Sequence, residues 1–215
     1  MYADRAAAGR LLAQELASCS ADHPLVVALL RGGVPVAAEV AQALNAPLKV
    51  LFVRKLGLPQ APEVAMGAVI DGERPAVFRN ADVLLMSGID HRAFQEVLDR
   101  EVKELRRRKR VYPARYHVGP VRNRTVILID DGAATGSTME VAIQAMREGG
   151  AARVIVGLPV APPSVLHELR SRADQVVCPL APADFDAVGS FYDEFPQLDD
   201  EQVLAALGGL QISEG

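Results

Sequence analysis

The sequence predicts an α/β fold, a Rossmann-like parallel sheet flanked by helices, and three observations carry that prediction. Short, largely apolar runs recur at Leu25 to Leu30, Leu48 to Val53, Val126 to Ile129 and Arg153 to Leu158. Each has the length of a strand and lacks the alternation of a one-sided sheet, so each reads as a strand buried on both faces. Stretches of helical period separate them, which calls for right-handed crossovers between parallel strands. Three loops of chemical character, 31–33, 54–63 and 130–138, fall where strands end. Ligands gather at the carboxyl ends of such strands, so the loops should share one site.

The elements follow in order. Tyr2 to Cys19 has helical spacing, with Leu11, Leu12 and Leu16 expected to face inward. Pro24 precedes the first strand, Arg31-Gly32-Gly33 breaks it, and Pro35 suits the first turn of a helix running to Leu44. Pro47 leads into the second strand, expected to end at Arg54-Lys55. Residues 56–91 are too many for a structureless loop. They divide into a mobile segment, Gly57 to Glu63, and two short strands about the hairpin signal Asp71-Gly72. Arg92 to Tyr112 is a charged helix, and Met139 to Gly149 an amphipathic one through Val141, Ala142, Ala145 and Met146. Strands at Arg153 to Leu158 and Gln175 to Cys178 enclose a helix from Pro163 to Arg172.

With 215 residues, half of them hydrophobic and 23% charged, residues 1–215 should form a single domain with a real core. A net charge of −4 gives no global pull toward nucleic acid or membrane. Cys19 and Cys178 lie far apart without ligand-like spacing, which suits a reducing compartment. No histidine pair has metal-binding spacing, no apolar stretch approaches a membrane span, and no signal peptide opens the chain. The expected address is the cytoplasm.

Chemistry concentrates after the strand Val126 to Ile129. Asp130 and Asp131 stand at its end, followed by Gly132, Ala133, Ala134, Thr135, Gly136, Ser137 and Thr138. The amides at a helix start lack internal partners and carry roughly +0.5 of a charge, so a phosphate settles there without a cation. Small residues let the backbone approach its oxygens, and the three hydroxyls add donors. The paired carboxylates repel that phosphate, so they suit something beside it, sugar hydroxyls or Mg2+.

This run resembles the ribose-5-phosphate loop of type I phosphoribosyltransferases, which bind 5-phosphoribosyl 1-pyrophosphate (PRPP). The resemblance implies that Asp130 and Asp131 address the ribose hydroxyls and that residues 132–138 hold the 5-phosphate. Ala28 to Ala37 is similar to the family's pyrophosphate loop, which implies roles for Arg31, Gly32 and Gly33 and a cis peptide near Arg31-Gly32. Read alone, it is an ordinary turn between strand and helix. Arg54 and Lys55 suit pyrophosphate, or form a solvated strand end. Gly57 to Glu63 resembles the loop that closes over PRPP and excludes water. The family's reaction displaces pyrophosphate from ribose C1 by a base nitrogen, with Mg2+ on the departing group.

Residues 180–215 are expected to be the hood, where Phe185, Phe191 and Tyr192 would stack on the base or serve as core or dimer contacts. Enzymes for 6-oxopurines carry an Asp where this chain has Ala134, and its loop is closer to adenine-type enzymes. The hairpin acid of those enzymes has no counterpart in Ala65 to Ile70, and Glu63 is the candidate substitute. The expected activity is a Mg2+-dependent transferase using PRPP and an unidentified base, as a homodimer of the kind common among small transferases. Between Arg100 and Arg124 lie ten of the 23 Lys and Arg residues. They form a solvated helix face, a nucleic-acid surface of a PRPP-sensing regulator, or a dock for a second subunit's acidic tail (Asp193, Glu194, Asp199, Asp200, Glu201).

Overall fold

The computed structural model describes residues 1–71 and 76–209. Asp4 caps the first helix, α1 (Arg5–Glu15), its carboxylate accepting from the Ala7 amide at 2.6 Å. Then come β1 (Leu25–Leu29), α2 (Gly33–Leu44), β2 (Leu48–Leu51), β3 (Val53–Leu58), β4 (Ala61–Ile70), β5 (Ala76–Arg79), α3 (Ala81–Ser87) and α4 (His91–Lys109). The second half carries β6 (Thr125–Ile129), α5 (Ser137–Glu148), β7 (Arg153–Gly157), α6 (Pro163–Arg170), β8 (Gln175–Val177) and α7 (Asp200–Gly208).

Five strands in the order β2-β1-β6-β7-β8, all parallel, form the main sheet. Successive side chains point to opposite faces, which is why the runs are apolar throughout. Ile127 and Ile129 join Val26 and Ala28 in the core beneath α1 and α2. Val126 and Leu128 join Leu25 and Val27 against α5 and α6. Leu128 is fully buried there. Leu128→Ala is therefore expected to cost about 2–5 kcal/mol, read as a lower midpoint in chemical denaturation.

β1 pairs with β2 on one side and with β6 on the other. The crossovers thus leave β1 in opposite directions, and the crevice beyond β1 and β6 is the topological switch point. The loops at 31–33 and 130–138 open into that crevice.

Several expectations are corrected. The first helix ends at Glu15 and a 3-10 turn, Ala17–Asp22, follows it, so Leu11 is 40% exposed while Leu12 and Leu16 are buried. The second strand stops at Leu51, and Arg54 and Lys55 lie inside β3, in a separate antiparallel sheet of order β3-β4-β5. Gly57 to Glu63 forms the end of that ribbon, with Gly57 opposite Ala65 and Leu58 opposite Ala61. The ribbon is only partly buried, so it lacks the apolar pattern that marks the main strands. Its second hairpin pairs β4 with β5 as expected, although Gly72 lies outside the described residues, as do 210–215 of the tail. The helix α3 has no sequence signal because none of its residues is buried; Asn80 caps it, accepting from the Val83 amide at 3.1 Å.

Candidate active site

At the switch point the backbone of one loop lies against the acids of the other. A Cβ on Gly33 would stand 2.6 Å from the Ile129 carbonyl oxygen and 2.9 Å from Asp130 Cα. A Cβ on Gly32 would overlap the Asp131 carboxylate. Both glycines are required by closeness, for Gly32 has ordinary helical angles. The cis peptide joins Leu30 and Arg31, one bond earlier than expected.

The loop 132–138 runs from the acid pair into α5. Ala133 is tied down by its amide, which donates to Val160 O at 3.0 Å. Gly136, at φ 73°, takes the left-handed conformation that turns the chain into α5, which starts at Ser137 without a side-chain cap. Among the described residues the amides of Ala134, Thr135 and Gly136 meet no acceptor within the chain. With the first amides of α5 they make a group of donors without helical partners, the chemistry an anion takes. Thr135 and Ser137 hydroxyls lie 3.2 Å apart, Ala134 and Thr138 are exposed, and all three hydroxyls are at the rim.

The acid pair is the most perturbed part of the site. Burial pushes Asp130 well above the usual carboxylate range, and the neighbouring Asp131 charge pushes it further. Burial also raises Asp131, which the Arg5 guanidinium pulls back. Arg5 Nε donates to Asp131 Oδ2 at 2.8 Å, and the Tyr192 hydroxyl donates to the Asp131 carbonyl at 2.6 Å. Asp130 Oδ1 accepts from the Asp131 amide at 2.9 Å. Arg5 is missing from the sequence reading because an arginine in the first turn of a surface helix carries no local signal.

The basic residues divide. Arg54 and Lys55 are neighbours on a strand and so face opposite ways. Arg54 lines a small recess with Arg31, Arg108, Tyr112 and Asp200, and its Nε and Nη2 both donate to Glu101 Oε2, at 2.9 and 2.6 Å. Lys55 faces a cavity of about 330 Å3 shared with Ser137 and Thr138. Glu63 is not brought to the acid pair; its side chain is 98% exposed, with a carboxylate oxygen 3.5 Å from Lys55 Nζ.

The hood divides too. Residues 180–196 fold over the loop, with Val188 against Gly132. Of the two roles open to Tyr192 the structure shows the core one: it is 6% exposed and packs between Tyr2 and Phe195. Phe185 and Phe191 stack on each other at 5.2 Å and remain half-buried. Helix α7 packs instead on α2. Of the acidic tail, Asp200 turns back on its own chain: the Tyr112 hydroxyl, just beyond α4, donates to its Oδ1 at 2.7 Å.

Among the described residues no group of three or more His, Cys, Asp or Glu side chains is placed to hold a metal ion. Two carboxylates beside an anion cradle nevertheless fit Mg2+, which usually takes one or two carboxylates and completes its shell from phosphate and water.

Comparison with known proteins agrees with this geometry. A family model described as phosphoribosyl transferase domain matches residues 2–193. Two Mycobacterium tuberculosis proteins, from different strains, are each 42% identical over 207 residues, 96% of this chain and 46% of theirs. Their names assign them provisionally to the phosphoribosyl transferases. The chain therefore spans about half the length of these curated relatives. The crystal structure of TT1426 from Thermus thermophilus is 39% identical, covers 96% of this chain and 97% of that one, and superposes with a TM-score of 0.80.

Proposed function

This chain belongs to the phosphoribosyl transferase domain family, and from that membership we propose that it moves the 5-phosphoribosyl group of PRPP to a nitrogenous base, releasing pyrophosphate. The observation that carries the reading is the contact of Gly32 with Asp131 at the switch point. It sets a close-approach loop, an acid pair and an anion cradle side by side, which matches a sugar flanked by two phosphate groups better than a lone phosphate.

The 132–138 amides and hydroxyls take the 5-phosphate, and Asp130 and Asp131 accept from the ribose 2- and 3-hydroxyls. The backbone of Arg31 to Gly33 approaches the pyrophosphate, with Lys55 contributing charge from the ribbon. A base nitrogen forms its bond to C1 as the C1–oxygen bond to pyrophosphate breaks, and the carboxylates lie where positive charge develops on the sugar. Mg2+ bound beside Asp130 and Asp131 would supply charge neutralisation to the departing pyrophosphate. Movement of the ribbon over the cradle would exclude water and bring Glu63 toward the acceptor. Phe185 and Phe191 mark the side from which the base enters. The unpaired Cys19 and Cys178 support a cytoplasmic setting for this activity.

Titration calorimetry with PRPP at millimolar Mg2+ should show saturable binding, and absence of heat would reject the proposal. A screen of bases for pyrophosphate release then identifies the acceptor. One observation favours a second reading, a PRPP-responsive regulator that binds RNA or DNA. Among the described residues Lys103 and Arg106 of α4 and Arg110 just past its end line one recess and make no ion pair, while Arg107 and Arg108 pair with Glu104. PRPP binding without turnover of any common base, together with salt-sensitive retention of nucleic acid, would select that reading.

A further inference from the structure

Arg5 is held by three partners belonging to two parts of the site. Its side chain is 9% exposed. Nε donates to Asp131 Oδ2 at 2.8 Å, Nη1 donates to the Pro196 carbonyl at 2.9 Å, and the guanidinium carbon lies 3.7 Å from the centroid of the Phe195 ring. Phe195 in turn packs on Tyr192, whose hydroxyl donates to the Asp131 carbonyl. The same hood segment is sewn to the N-terminal strand-like residues: Tyr2 N donates to Phe191 O, Asp193 N to Tyr2 O, and Glu194 N to Ala3 O, all within 2.9 Å. Asp131 is therefore fixed at both ends, its backbone by Tyr192 and its carboxylate by Arg5.

We infer that Arg5 is a positioning residue for the ribose: it sets the rotamer of the Asp131 carboxylate and, through Pro196 and Phe195, makes the acid pair and the hood one mechanical unit. A planar guanidinium suits this because its donors diverge in one plane while its face remains free for an aromatic ring. Arg5 does not itself reach the substrate. The charge it places on Asp131 opposes the repulsion within the pair, so that both acids can face the sugar at once. The inference rests on the PRPP reading above, and it concerns the sugar subsite alone. The pyrophosphate loop meets Asp131 at Gly32, on the same Oδ2 that Arg5 holds, and among the described residues Arg5 makes no hydrogen bond to residues 31–33.

Calorimetric titrations of Arg5→Met, Arg5→Lys and Leu44→Ala with PRPP and with inorganic pyrophosphate, both with Mg2+, test this, alongside melting temperatures. In R5M the affinity for PRPP should fall by about tenfold or more, as when a supporting partner of a binding group is removed, while that for pyrophosphate is kept. R5K should recover part of the loss. L44A, which truncates a buried side chain at the end of α2 away from Gly33, should lower the melting temperature and leave PRPP affinity unchanged, which separates positioning from general loosening. R5M binding PRPP as the unaltered chain does, or losing both ligands in proportion, overturns the inference and leaves the proposed function standing. If R5M does not fold, a PRPP-selective loss in R5K supports the inference, and an unchanged R5K rejects it. An unaltered chain that binds no PRPP removes the proposed function, and the role of Arg5 with it.

Discussion

Gly32→Ala is expected to cut PRPP affinity by up to about a hundredfold while the sheet stays folded, because overpacking a tight site costs about 1–3 kcal/mol and each factor of ten is worth about 1.4. The added Cβ would lie 2.9 Å from Asp131 Oδ1 and closer still to Oδ2 and Cγ. One of two things must move. Rotating Asp131 breaks its contact with Arg5, and shifting residues 31–33 opens the loop that approaches the pyrophosphate. The backbone at Gly32 is already helical, so alanine adds no conformational strain, and the loss isolates the steric contact. Gly119→Ala is the matching control, since its Cβ would meet nothing within 4 Å. Calorimetry with PRPP compares the two. Equal affinities would show that the two loops do not act as one site.

Asp130→Asn should move binding and stability in opposite directions. Hydrogen bonds to a charged group contribute about 1.5–3 kcal/mol, so the loss of the carboxylate should weaken PRPP binding by about ten- to a hundredfold. The ligand-free protein should instead melt at a higher temperature. Burial and the Asp131 charge raise the Asp130 pKa in the folded chain above its unfolded value. Stability from this group is then fully present below the unfolded pKa and is lost as pH rises through the folded one. Asparagine mimics the protonated side chain, so the stability gain should be present at pH 7 to 8 and should shrink as pH falls toward 4. Melting curves across that range check it. A variant less stable at every pH would mean that the ionised carboxylate is fully compensated in the fold.

Such a site, stable in the wrong charge state until its ligand arrives, is a common compromise between folding and binding. Here the compensation comes from Arg5, from a helix 126 residues away in sequence. Phosphate, sugar hydroxyls and any Mg2+ would supply what the empty pair lacks.

What the sequence determined by itself is whatever a short segment decides locally. Two-sided burial makes a strand apolar at every position, so the runs at Leu25 and Val126 were legible as central strands. Two acids, small residues and hydroxyls before an amphipathic helix carry the proposed phosphate-and-hydroxyl site in the sequence, because each of those properties is local too. Gly32 and Gly33 were visible as residues, but their reason was not: only the tertiary structure shows that they clear Asp131 and Ile129. The ribbon from Val53 to Arg79 was half legible, since its partly exposed strands lack periodicity and are fixed by pairing with one another. Tyr192 read equally as a stacking ring or a core contact, and only the tertiary structure shows its hydroxyl donating to the Asp131 carbonyl. Arg5, Glu101 beside Arg54, and Asp200 beside Tyr112 were invisible for one reason. An ion pair or hydrogen bond between distant segments leaves no pattern in either of them, and it comes into being only when the fold brings the two together.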